Sequence, residues 1–298
     1  MAGMRRFGGT ALLYLGVLLA DTPSRAASWR TQIDYGGSGP SMDLYVPVQR
    51  GSAPGVVVLL HYCGGNSAAM HGWLQGQADR HGFLVIAPSV EAGKSCWNAT
   101  PARSGEGAAI VQMVDYVLTR QRADPERVFV AGASSGACMT NALLAAYPDV
   151  FAGGSVLAGV PAGAWVGGSE CDACGQAPPR RTAQEWGDIV RHASAAFHGP
   201  RPRVQLFHGT SDDTLDYSNL AAEVLQWSHV LGVTQADAST ESDQPKRGWD
   251  RTSYRRGSQV VLESNSGRGQ PHNLTGLGLW PEVVRFFGLD RQPSRSER

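Results

Sequence analysis

The 298-residue sequence predicts an α/β fold, a mostly parallel, doubly wound sheet with helices on both faces, in a single domain. Three observations predict it. Apolar β-prone runs alternate with helical patterns from Val56 to Tyr147, the order that produces parallel strands joined by crossover helices. The runs Val56 to Leu60 and Phe83 to Ala87 are continuously apolar, as strands covered on both faces are. Arg127 to Asn141, RVFVAGASSGACMTN, has the form of a buried strand, a tight turn and a helix start.

Taken in order, Met1 to Ala27 carries Arg5 and Arg6, an apolar run from Ala11 to Ala20 and a small-residue end. This is the composition of a secretory signal peptide cleaved after residue 26, and the run is too short to span a bilayer. Trp29 to Tyr35 and Ser41 to Val46 read as antiparallel edge strands around a Gly-Pro turn. Val56 to Leu60 is a central strand ending in His61-Tyr62-Cys63-Gly64-Gly65. Ser67 to Arg80 is helical, with Gly82 as its stop before the strand Phe83 to Ala87. A loop holding Cys96-Trp97-Asn98 follows, then an amphipathic helix over Gly107 to Arg122.

Beyond the Ser134 turn and its helix, Gly153 to Ala158 is a strand and Gly159 to Arg181 a long Gly-, Pro- and Cys-rich loop. Thr182 with Glu185 three residues on predicts a capped helix through His192. Arg203 to Phe207 is a strand that delivers His208-Gly209-Thr210-Ser211-Asp212-Asp213. Leu220 to Leu231 is helical, Val260 to Leu262 lies in a late strand, and Gly267 to Thr275 is a polar loop holding His272. A helix from Pro281 to Phe287 closes the domain, expected over residues 27–290, and a polar tail covers 291–298.

Charge is balanced, 26 basic against 26 acidic residues, which removes the electrostatic footprint of a nucleic-acid or anionic-membrane binder. Export would place the five cysteines in an oxidising compartment. Cys63 with Cys96 and Cys171 with Cys174 are the expected pairs, leaving Cys138 free in the helix after the turn. Cys171-Asp-Ala-Cys174 is half of a zinc-site pattern, but no second C-x-x-C or H-x3-H follows it, so no metal is expected.

Gly132-Ala133-Ser134-Ser135-Gly136 is the sequence's one G-x-S-x-G. Small residues at its ends permit a strained strand-to-helix turn that lifts the middle hydroxyl above the sheet. Ser134 is therefore the candidate nucleophile, and the amide of Ser135 a candidate oxyanion donor. A serine hydroxyl needs a base to ionise near neutral pH, and the base needs a carboxylate to fix its tautomer. In α/β-hydrolases the three arrive in the order Ser, Asp, His. Ser134, Asp212 and His272 satisfy that order, with Asp213 and Asp216 as competitors for the acid. The Cys63 amide, at the end of a central strand, is the second candidate oxyanion donor. Tyr62, Trp97, Trp165 and Trp186 are candidate sugar-facing aromatics, while Trp227 is read as core.

The chain resembles secreted carbohydrate esterases of family 1, the acetylxylan and feruloyl esterases related to poly(3-hydroxybutyrate) depolymerases. The resemblance rests on HYCGG at 61–65, CWN at 96–98, the elbow sequence, YPDVFAGGSVLAGVPAG at 147–163, RPRVQLFHGTSDDTLDY at 201–217 and GQPHNL at 269–274. It implies an α/β-hydrolase fold, Asp212 as the acid in an H-G-x-x-D box, His272 as the base and Tyr62-Cys63 as the oxyanion loop. It implies a secreted, cofactor-independent monomeric serine esterase acting on a plant cell-wall polysaccharide ester or a polyester. Cys138 stands where fungal acetylxylan esterases usually carry methionine, and GQPHN departs from their usual G-H-T or G-H-G.

Overall fold

The computed structural model describes residues 27–165 and 177–291. The expected leader, Cys171, Cys174 and all but the first residue of the expected tail lie outside them. Ten strands form one sheet, β1 (Ser28–Arg30), β2 (Ser41–Val46), β3 (Val56–Leu60), β4 (Leu84–Ser89), β5 (Val128–Ala133), β6 (Gly153–Leu157), β7 (Arg203–Gly209), β8 (Ala238–Ser242), β9 (Trp249–Arg256) and β10 (Gln259–Gly267). Their spatial order is β1-β2-β4-β3-β5-β6-β7-β10-β9-β8. From β4 to β10 every neighbouring pair is parallel, whereas β1, β2, β9 and β8 extend the two ends antiparallel.

The period-2 geometry of the central strands explains why they read as unbroken apolar runs. In β3, Val56, Val58 and Leu60 enter one core and Val57 and Leu59 the other, all at 0% exposure. Each such side chain contributes about 1.5–3 kcal/mol by leaving water. The first core lies under α2 (Gly105–Gln121), α3 (Ser135–Ala146), α4 (Ala183–Ala193) and α5 (Ser218–Leu231). The second lies under α1 (His71–His81) and α6 (Trp280–Phe287). α3 is buried on every side, which matches its Ala- and Leu-rich sequence, and Trp227 of α5 is fully buried as expected.

The structure departs from expectation most at three places and in two added strands. The first strand stops at Arg30, and Gln32 takes a positive φ of 50° with its amide on Asp43 Oδ1 at 2.9 Å. A short 3-10 turn, Ala68–Met70, precedes α1. The late strand runs to Gly267 because its polar residues are buried with partners. Glu263 accepts from Gln205 Nε2 at 2.7 Å, and Asn265 Nδ2 donates to the Leu206 carbonyl at 3.1 Å. Finally β8 and β9 were not expected at all. Their sequences, ASTES and WDRTSYRR, are largely exposed or half-exposed, so no apolar run marks them, and β9 is held by its ladder to β10.

Candidate active site

The C-terminal ends of β5, β7 and β10 lie at one edge of the sheet, and each delivers one polar residue to it. At the end of β5 the chain must turn sharply into α3. A Cβ on Gly132 would run into the Gly136 carbonyl, and one on Gly136 into the Leu60 carbonyl, so both positions exclude larger residues. Ser134 between them has φ 56° and ψ −121°, a conformation costing about 1–3 kcal/mol for a non-glycine residue. Its amide donates to the Leu157 carbonyl at 3.0 Å, and its carbonyl accepts from Ala137 and Cys138. The side chain is thereby held above the sheet edge.

His272 Nε2 lies 2.9 Å from Ser134 Oγ, and His272 Nδ1 lies 2.8 Å from Asp212 Oδ2. The carboxylate only accepts, so Nδ1 carries the hydrogen and Nε2 is left as the acceptor for the hydroxyl. Asp212 Oδ1 accepts from the amides of Thr214 and Leu215 at 2.9 and 2.8 Å. Its side chain is completely buried. Burial pushes the Asp212 carboxyl up, but hydrogen bonds from His208, His272 and Leu215 outweigh it and hold the group well below the usual carboxylate range. Asp213 makes only a 3.3 Å contact with Thr214 Oγ1, and Asp216 caps the start of α5 through Ser218. Neither meets His272.

The loops that carry Asp212 and His272 are joined to each other. Gly269 N donates to Thr210 Oγ1 at 2.8 Å and Ser211 N to the Gln270 carbonyl at 3.0 Å. A Cβ on Gly209 would collide with that same Gln270 carbonyl, so the loops approach as closely as backbone can.

Cys63 follows β3 and forms a disulfide with Cys96. Gly64 N donates to the Ser95 carbonyl at 2.7 Å, so the loop after β3 is tied covalently and by hydrogen bond to the loop after β4. Among the described residues no protein acceptor takes the amide of Cys63 or of Ser135. Cys138 is a free, buried thiol, pushed up by burial.

A cavity of about 390 Å³ opens over the serine, lined by Tyr62, Cys63, Trp73, Ser134, Thr214, His272 and Leu274 among others. A larger one, about 540 Å³, lies around Arg127, Arg203 and Phe287 and touches none of these residues. Tyr62 is 40% exposed, and its ring stacks on Trp73, which stacks on Trp280.

The other expected aromatics are elsewhere. Trp97 is 0% exposed and donates to the His61 carbonyl at 2.9 Å, Trp186 is 1% exposed and lies under Arg181, and Trp165 is 5% exposed. None lines the cavity; each buries a large apolar ring, and Trp97 satisfies its indole N–H inside the core. Sequence reasoning missed Trp73, which sits on the predicted helix 67–80 with no local mark to set it apart from a packing residue.

A serine on a strained strand-to-helix turn, hydrogen-bonded through histidine to a buried aspartate in an α/β sheet, defines a serine-hydrolase-type site. Comparison with known proteins agrees. A family model described as esterase PHB depolymerase matches residues 41–178. An acetylxylan esterase of Coprinopsis cinerea is 38% identical, with 90% of this chain and 75% of that protein covered. Feruloyl esterase B of Thermothelomyces thermophilus is also 38% identical, covering 93% and 98%. The solved structure of an acetyl xylan esterase from Aspergillus awamori superposes with a TM-score of 0.80 at 30% identity, covering 88% and 99%. The chain belongs to the PHB depolymerase-type esterase family that includes the fungal acetylxylan and feruloyl esterases.

Proposed function

We propose that this esterase removes acetyl groups from xylan by a two-step acyl transfer in which Ser134 is the nucleophile, His272 the general base and Asp212 its orienting acid. The unbroken relay from Ser134 Oγ through His272 to Asp212, at 2.9 and 2.8 Å, carries the reading. Ser134 Oγ attacks the ester carbonyl as its proton passes to His272 Nε2. The amides of Cys63 and Ser135 receive the developing oxyanion, and His272 returns the proton to the departing sugar hydroxyl. Water, deprotonated by the same imidazole, then attacks the acyl-serine; the acyl–Oγ bond breaks, Ser134 Oγ takes the proton back from His272, and acetate leaves. The chemistry needs no cofactor. Acetylxylan is favoured by the names of relatives that match over most of the chain, and those relatives together with the Cys63–Cys96 disulfide support an extracellular setting. Among the described residues no helix is long and apolar enough to cross a membrane. A monomer acting on a polymeric substrate is the simplest assembly, because the relay lies within one chain.

A second reading, feruloyl ester hydrolysis, is favoured by one observation. The stacked pair Tyr62 and Trp73 lines the cavity beside the serine, and a flat aromatic acyl group could stack on it. One panel of purified enzyme on acetylated xylan, feruloylated arabinoxylan and poly(3-hydroxybutyrate) tests the proposal. We expect acetate release to dominate, and Ser134→Ala to lower it by at least about 10³-fold with the fold intact. A preference for the feruloyl or polyester substrate would overturn the acetyl assignment. A Ser134→Ala rate within tenfold of wild type would overturn the mechanism.

A further inference from the structure

Two polar atoms buried behind the relay take no part in the chemistry above. His208, near the end of β7, is 0% exposed. Its Nε2 lies 2.9 Å from the Leu215 carbonyl oxygen and 3.1 Å from Asp212 Oδ2. A carbonyl only accepts, so Nε2 carries a hydrogen, and that hydrogen is shared between the two oxygens. Asp212 Oδ2 therefore faces two imidazole donors, Nδ1 of His272 and Nε2 of His208.

The far nitrogen of the ring, His208 Nδ1, has no hydrogen-bond partner, and neither has Oε2 of Glu223. Glu223 comes from α5 and is itself 0% exposed. Its other oxygen accepts from Asn141 Nδ2 at 2.6 Å, and Asn141 in turn accepts from Trp227 Nε1 at 2.9 Å. A carboxylate in such a place is costly without a cation or a proton. Burial pushes Glu223 up to about 7, against the opposing pull of His208 and Asn141. Burial would lower His208, but the carboxylates of Asp212 and Glu223 outweigh it and hold the ring above its ordinary value.

The two groups do not hydrogen-bond to each other, but the negative charge of Glu223 acts on His208 through the core and favours its protonated ring. The other ionisable groups around them are Asp212 and Asp216 on the loop after β7, and Tyr217, whose ring centroid is 6.0 Å from that of His208. Cys138 of α3 is also near and is held as the neutral thiol by burial.

We propose that His208 is a positioning residue whose Nε2–H holds Asp212 Oδ2, the same oxygen that faces His272, and that the buried carboxyl of Glu223 supports the ring in that role. The second donor spreads the charge of Asp212 over two imidazoles. It thereby sets both the direction in which His272 is aimed and how readily His272 gives up a proton. The kinetic part of this inference rests on the esterase reading; the coupling of Glu223 to His208 does not.

The test pairs kinetics with side-chain NMR. In His208→Leu, Asp212 loses its second donor and concentrates its charge on His272. We expect kcat to fall about tenfold with KM unchanged, and the acid limb of kcat/KM to move up by at least roughly half a pH unit. His208→Gln puts a donor back near Nε2 and should return the limb toward wild type. A folded His208→Leu enzyme whose acid limb stays in place would overturn the proposal even if kcat fell, because a merely structural role lowers activity without moving the limb. Glu223→Gln keeps the side-chain volume and the acceptor for Asn141, so it serves if the leucine variant does not fold. Followed by ¹⁵N NMR, the His208 ring should titrate at lower pH in Glu223→Gln than in wild type, having lost a negative neighbour. An identical titration would overturn the coupling. If the wild-type chain hydrolyses no ester, the NMR comparison still reads out, so failure of the esterase reading and failure of this one are distinguishable.

Discussion

Ser134 is held in its positive-φ turn by two glycines that have no room for a methyl group, and this makes the site unusually sensitive to the smallest substitution. Gly136→Ala would place a Cβ against the Leu60 carbonyl, and because backbone, unlike a side-chain tip, cannot yield locally, we expect a loss of about 2–4 kcal/mol in denaturant unfolding. Esterase activity should fall by at least about a hundredfold in whatever fraction remains folded. At this scale the sequence was legible where chemistry leaves a mark: a G-x-S-x-G after a strand, and an aspartate and a histidine downstream in the order a hydrolase uses. It was illegible where packing decides. Nothing local separates Trp97, buried beneath the His61 carbonyl, from Trp73, which lines the cavity. Both are tryptophans within a few residues of a glycine, and only packing in three dimensions assigns one to the core.

Among the elements, the loop after β3 depends most on a covalent constraint. The Cys63–Cys96 disulfide closes a separation of 33 residues, for which loop-closure entropy gives about 3–4 kcal/mol. Cys96→Ser should lower unfolding free energy by about that amount. It should also reduce kcat more than it raises KM, since the proposed Cys63 oxyanion donor would lose its anchor. α4 offers a milder test. Thr182 and Glu185 form the capping box that the T-x-x-E spacing predicts, with Glu185 N on Thr182 Oγ1 at 3.2 Å and Thr182 N on Glu185 Oε2 at 2.7 Å. Thr182→Ala should cost about 1 kcal/mol in thermal or denaturant unfolding and leave activity unchanged. Elements with a local signal, such as this helix and the central apolar strands, were legible. β8 and β9 were not, because a strand at the margin of a sheet needs neither an apolar run nor strict alternation when a ladder to its neighbour supplies the backbone bonds.

For the whole molecule, pH acts on stability from two directions. Asp212 is held below the ordinary carboxylate range, so its contribution is present above the unfolded value and disappears as pH falls through the folded one. Glu223, pushed up to about 7, and His208, raised, behave oppositely. Their contribution is complete below the unfolded values and is lost as pH climbs through the folded ones. Wild-type unfolding free energy should therefore decline from about pH 5 toward pH 8, and Glu223→Gln should flatten that decline; urea titrations at a series of pH values read both.

The joined loops after β7 and β10 carry a mechanical meaning. Asp212 and His272 sit on segments laced together by Thr210, Ser211, Gly269 and Gln270, while Ser134 rides on the turn into α3. We therefore expect thermal motion to carry Asp212 and His272 together and to appear first in the 2.9 Å gap between imidazole and hydroxyl. A substrate or inhibitor that wedges into the site would spread that gap first, leaving the carboxylate–imidazole geometry undisturbed.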